Sequence, residues 1–275
     1  MKLQGPAARQ QKPKMVKGLL IVLTVTMLSS FGLGLWANLT DGYTAVLDYN
    51  DIELIQLDDP PSGSKAAVMH TTLGDMQFTL YPEQCPQTVK SFCELAESGY
   101  YNDTYVFELA PSVFFSGGAA TPEGDLPAGK EGTAQERIPQ ELSAKLWPFR
   151  GALCAMQTTT EGGIWKTLTK TRETFTGSRF LVCNSIEMTK EIEKGLRETE
   201  NDAMKRVAEA FITHGGIPNY AQQLTVFGQL TEGFDVLDAI TSSEVGAGET
   251  VADGVTVTRP KDEIRISSVE IVTLP

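Results

Sequence analysis

The side chains with the widest chemical reach in this 275-residue chain are few and scattered: His70, His214, Cys85, Cys93, Cys154 and Cys183. Their spacing matches no zinc site, which pairs its ligands at short fixed intervals. Neither histidine sits in a motif that would activate a cysteine as a nucleophile. Cys85 lies eight residues before Cys93, just ahead of a helical stretch, too far for an easy bridge if that helix is regular. Buried, reduced thiols are expected, with no cofactor and no metal. Chemistry by fixed polar groups and apolar surface is left. Arg179 and Leu181 stand two apart in a strand-like stretch, so both face one side.

The elements that must position such a surface can be read in order. Alternating residues on either side of Leu73-Gly74-Asp75 predict a β-hairpin over 66–80. Pro86 suits a first helical turn, and Val89, Phe92, Cys93 and Leu95 recur at helical spacing up to Gly99. A strand over 105–115 then leads to Gly117-Gly118, and further strands are expected at 153–156 and 180–183. Residues 121–136 and 158–177 read as surface loops. Over 188–211, Met188, Ile192, Leu196, Met204, Val207, Ala208 and Phe211 describe an amphipathic helix with a weak point near 200–202.

The front of the chain differs in kind. Residues 1–17 carry five bases (Lys2, Arg9, Lys12, Lys14, Lys17), and 1–37 contain no acid. Residues 18–37 carry no charge and, at about 1.5 Å per residue, just span a hydrocarbon core of roughly 30 Å. An uncleaved anchor and a cleaved signal peptide compete. The length of the run and the poor Leu35-Trp36-Ala37 cleavage site favour the anchor. Basic residues stay cytoplasmic, which puts the remainder outside a cell membrane crossed once. That remainder holds 18 of the 23 bases against all 35 acids, an excess of negative charge that excludes nucleic acid as a partner. Residues 38–65 read as a spacer ending in the linker Asp59-Pro60-Pro61-Ser62-Gly63-Ser64, unless 43–57 adds a short strand or helix to the domain; the domain proper is at 66–273, with a helical insertion at about 186–215.

A family resemblance rests on eight ordered blocks. They are LGDMQFTLYPEQCPQTVKSF (73–92), ESGYYNDT (97–104), SGG (116–118), IPQEL (138–142), RGALCAM (150–156), GSRFLVC (177–183), LTVFGQLTEGFDVLDAI (224–240) and RPKDEIRISSVEI (259–271). In this the chain resembles the cyclophilin-type peptidyl-prolyl cis-trans isomerases. The resemblance implies a mostly β fold: a closed eight-stranded antiparallel barrel capped by helices, here with the inserted helix and an N-terminal transmembrane helix. It implies proline-containing peptides or exported client proteins as partners. It also puts Cys154 and Cys183 in one sheet and the Trp165 loop on the rim of the substrate groove, where Trp165 touches a client or packs back on the body.

The same resemblance locates the groove and its departures. Prolyl isomerisation needs no nucleophile, only an apolar seat for proline and a fixed donor to the prolyl nitrogen. The family's arginine donor falls at Glu108, and an ionised carboxylate cannot donate. The family glutamine before Gly-Gly is Ser116, a phenylalanine is Leu181, and the pocket histidine is Leu224. The groove is then Val113, Phe114, Ser116, Met156, Leu181, Tyr220 and Leu224. Arg179 replaces a glutamine and is either a displaced donor or the ion-pair partner of Glu108. The expected function is weak prolyl isomerisation of exported proteins; the alternative is a catalytically silent proline-, peptide- or partner-binding module.

Overall fold

Alternation in the first hairpin does what period two requires. In β1 (Lys65–Thr71) and β2 (Gly74–Leu80), Ala67, Met69, Met76, Phe78 and Leu80 are buried. The turn is held by the Thr71 hydroxyl, which donates to the Gly74 carbonyl at 2.7 Å and accepts from the Leu73 amide at 3.1 Å. The computed structural model describes residues 48–124, 138–159, 174–246, 249–250 and 256–275. The basic tail at 1–17, the anchor at 18–37 and most of the Trp165 loop lie outside the described residues. No helix among the described residues is long and apolar enough to cross a membrane.

Helix α1 (Pro86–Glu97) starts at Pro86, but Cys85 gives its first turn no side-chain cap. The cap comes from the IPQEL block instead. The Glu141 carboxylate accepts from the amides of Gln87 and Thr88 at 3.1 and 2.9 Å and from the Thr88 hydroxyl at 2.8 Å. A carboxylate at a helix N-terminus is favourable both as acceptor and as counter-charge. On the buried face of α1, Phe92 packs against Tyr101, Phe180 and Phe227 with ring centroids 5.2, 6.3 and 5.2 Å away.

The single strand expected over 105–115 is two strands. β3 (Thr104–Ala110) and β4 (Phe114–Ala119) pair antiparallel. Pro111 and Ser112 make the turn, Ser112 at φ 63°, and the Val113 amide closes it on the Ala110 carbonyl at 2.9 Å. After β5 (Ile138–Pro139) come β6 (Ala152–Thr159) and β7 (Thr174–Cys183). β8 (Thr225–Glu232), the short β9 (Glu249–Thr250) and β10 (Thr256–Val257), and β11 (Arg265–Thr273) complete the set. The sheet runs β4-β3-β11-β1-β2-β8-β6-β7, and β7 pairs back onto β4. Eight antiparallel strands therefore close into a barrel, which leaves those strands without an open edge. β5 adds to β7, and β9 pairs with β10 in a separate two-stranded sheet joined to β3 by the Leu109–Thr258 bridge.

The inserted helix is two helices. α2 (Lys190–Arg197) is capped by the Thr189 hydroxyl, and α3 (Asp202–His214) by Asn201 Oδ1, which accepts from the Ala203 and Met204 amides. Two N-caps in one periodic stretch explain the break at 198–201. Arg197 on α2 bonds Glu209 on α3 at 2.7 Å. The apolar stripe is covered: Leu196, Val207, Ala208, Ala210 and Phe211 are buried, and the Phe211 ring lies 4.7 Å from that of Phe149. α4 (Phe234–Thr241) buries Val236, Leu237 and Ile240 in the main core.

Of the two readings of 43–57, the described part follows the second: short 3-10 turns at Tyr49–Asp51 and Ile55–Leu57 pack on the domain. Ile52 is buried, and the Gln56 carboxamide donates to the Trp147 carbonyl at 2.9 Å and to Gln229 Oε1 at 2.8 Å while accepting from the Trp147 amide. Residues 48–57 are thus part of the domain. A stretch whose apolar and acidic residues alternate without a clear period conceals such an anchor, because a single amide makes it. Replacing Gln56 by Ala strands buried partners and is expected to cost about 1–3 kcal/mol, read as a lower urea midpoint with unchanged slope.

Candidate functional site

Strand register builds the site. Glu108 on β3 pairs with Ser116 on β4, Ser116 with Leu181 on β7, and Leu181 with Cys154 on β6. Cross-strand partners project from one face, so these four side chains form a row across four strands. The alternate residues Phe115, Phe180, Val182 and Leu153 point the other way and are at most 1% exposed; in the row itself Ser116 and Cys154 are also fully buried and Leu181 is 7% exposed, which leaves Glu108 as its half-buried member. Val113, Phe114, Met156, Tyr220 and Leu224 are half-buried against the core. The Phe114 and Tyr220 rings lie 6.2 Å apart. Tyr220 ends a short 3-10 turn, Pro218–Tyr220, that follows the Gly215-Gly216 stop of α3.

Polar groups in the row are mutually engaged. The Ser116 hydroxyl donates to Glu108 Oε2 at 2.7 Å. Burial pushes the Tyr220 phenol up, with Cys183, Glu108 and Cys154 adding to it, which puts all three within electrostatic reach of the ring. The expected Glu108–Arg179 ion pair does not form. Arg179 instead donates from Nη1 to the Gly124 carbonyl at 3.1 Å, with its guanidinium 5.9 Å from the Phe107 ring centroid. The reason is local: Gly124 closes a turn directly over Phe107, offering an acceptor and an aromatic face together. Sequence reasoning missed Gln157, which follows Met156 and donates to the Gln223 carbonyl, as Gln140 also does. Its place beside Met156 in the RGALCAM block was the available signal.

All four cysteines are free and buried. Cys154 and Cys183 lie under the groove with their sulfurs 3.8 Å apart. Burial and the bond to Cys183 push the Cys154 thiol well up, and burial with nearby Glu141 pushes Cys85 from 9.0 up to about 12. The native state holds these protons more tightly than the unfolded chain. The stability that Cys85 contributes in this way is fully present below pH 9.0 and is lost as pH rises towards about 12, and Cys154 adds to the same decline. A denaturation series from pH 8 to 11 should show that decline, and a thiol reagent at pH 8 should label the cysteines only after unfolding.

Among the described residues, no three His, Cys, Asp or Glu side chains converge as a metal site. A separate cavity of about 650 Å³ lies between residues 53–65 and 79–84, away from every groove position.

Comparison with known proteins fixes the family. The model for cyclophilin type peptidyl-prolyl cis-trans isomerase matches residues 66–271. The chain belongs to that family. A candidate peptidyl-prolyl cis-trans isomerase of Staphylococcus saprophyticus is 30% identical over 206 residues, 74% of this chain and 90% of that protein. A candidate bifunctional phosphatase/peptidyl-prolyl cis-trans isomerase of Streptococcus pyogenes serotype M6 is 28% identical over 226 residues. That match takes in 80% of this chain but only 42% of the streptococcal protein, so the chain spans less than half of that relative. A crystal structure of a Cryptosporidium parvum cyclophilin aligns at 21% identity and a TM-score of 0.45, over 77% of this chain and 99% of its own. In this cyclophilin-type chain the Glu108 carboxylate accepts from the Ser116 hydroxyl.

Proposed function

We propose that the groove around Leu181 binds proline-containing segments of exported proteins and isomerises them weakly, the domain being held at the outer face of a membrane by residues 18–37. The observation that carries this reading is that Phe114, Met156, Tyr220 and Leu224, all half-buried, pack on the same core as Leu181 in a cyclophilin-type barrel, with the Phe114 and Tyr220 rings 6.2 Å apart. Proline needs such a seat, and the seat alone restrains the imide and excludes water. Among the described residues, neither Glu108 nor Arg179 supplies the fixed donor that favours a pyramidal prolyl nitrogen. Glu108 cannot supply it when ionised, and Arg179 is turned to Gly124 and Phe107. That same carboxylate favours a second reading, a binding module without turnover.

Nuclear magnetic resonance titration with a capped prolyl peptide tests the seat itself. Shifts should concentrate at Phe114, Met156, Leu181 and Tyr220. Shifts confined to the α2–α3 surface, or none, would remove the groove from the account.

A further inference from the structure

We infer that this groove selects prolyl segments that carry a lysine or arginine next to the proline, with Glu108 as the counter-charge; this rests on the peptide-groove reading above. Glu108 is half-buried on β3 and has one partner among the described residues, the Ser116 hydroxyl on Oε2. No Lys, Arg or His side chain pairs with it there, and the one cation on a neighbouring strand of the row, Arg179, is engaged elsewhere. Tyr220 is within electrostatic reach of it, and the next residue along the row beyond Ser116 is the apolar Leu181.

A docking peptide strips water from the carboxylate. Against an apolar neighbour that loss is uncompensated, so the peptide is penalised. A cationic side chain replaces the lost water with a charge-assisted hydrogen bond, in a site whose apolar walls strengthen it. Ser116 keeps Oε2 occupied and the carboxylate oriented, while Oε1, which has no partner among the described residues, takes the incoming cation. An acidic residue beside the proline meets like charge and is rejected. The chain's net charge of −12 draws cationic peptides in general, but that attraction is long-ranged and does not depend on one carboxylate.

The test titrates the full-length protein with three acetylated, amidated peptides that differ only in the residue before proline: Lys, Ala or Glu. The Lys peptide should bind roughly tenfold more tightly than the Ala peptide, with the Glu peptide weakest. Glu108→Gln keeps the shape and the Ser116 bond, and it should bring the three to within about twofold of one another. Equal binding of all three to the parent overturns the selectivity and leaves the groove reading standing. A Lys preference that survives Glu108→Gln overturns it too, assigning the effect to net charge. Binding of none overturns the groove reading and the selectivity together.

Discussion

Phe180→Ala is expected to cost about 3–5 kcal/mol of stability. The ring is 1% exposed and meets Tyr101 at 5.8 Å and Phe92 at 6.3 Å, both edge to face. Its surroundings have little means of collapsing into the space it would leave. A Cβ on Gly117 would stand 2.9 Å from Phe180 Cζ and 2.9 Å from Ile266 Cδ1, so the ring fills volume that the glycine of β4 leaves empty. Removing the ring opens a cavity whose wall on that side is backbone. The converse change, Gly117→Ala, overpacks the same spot and should cost about 1–3 kcal/mol. Urea denaturation of both variants checks the pair, and a loss below about 1 kcal/mol for Phe180→Ala would contradict this packing. Function follows stability here, because Phe180 separates Arg179 from Leu181 and fixes which way each points.

Glu108→Arg is expected to raise the rate of prolyl isomerisation by on the order of 10²–10³. One preorganised donor is commonly worth that much, and the strand that should present it is in place. Glu108 pairs with Ser116, and Ser116 with Leu181, a member of the proposed apolar seat. The Ser116 hydroxyl, now a donor to the carboxylate, can turn and accept from the guanidinium. A gain in kcat with little change in KM would identify a transition-state interaction. An unchanged rate in a folded variant would mean that some other lost contact limits the groove.

Much of the barrel was legible because its signals are local. Hairpin alternation over 66–80, Pro86 at a helix start and the glycine pair at 117–118 each reflect a backbone requirement of a few residues. The turn at Pro111-Ser112 was read through, since neighbouring apolar residues masked the break between β3 and β4. Helix α3 followed from its apolar stripe, whereas the exact division from α2 needed the Asn201 cap. The Gln56 anchor joins residues far apart in sequence through one amide, and no periodicity announces it. The groove's apolar members came from the family blocks. The partner of Arg179 did not, because a turn at Gly124 decided it rather than the strand carrying Glu108.

Prolyl isomerisation by the parent chain beside its Arg179→Ala variant tests the central claim most directly. With Arg179 held by Gly124 and Phe107, the account predicts a slight acceleration over the uncatalysed rate, equal in both proteins. Strong activity in the parent that Arg179→Ala abolishes would contradict it, showing that catalysis had moved its donor to another strand.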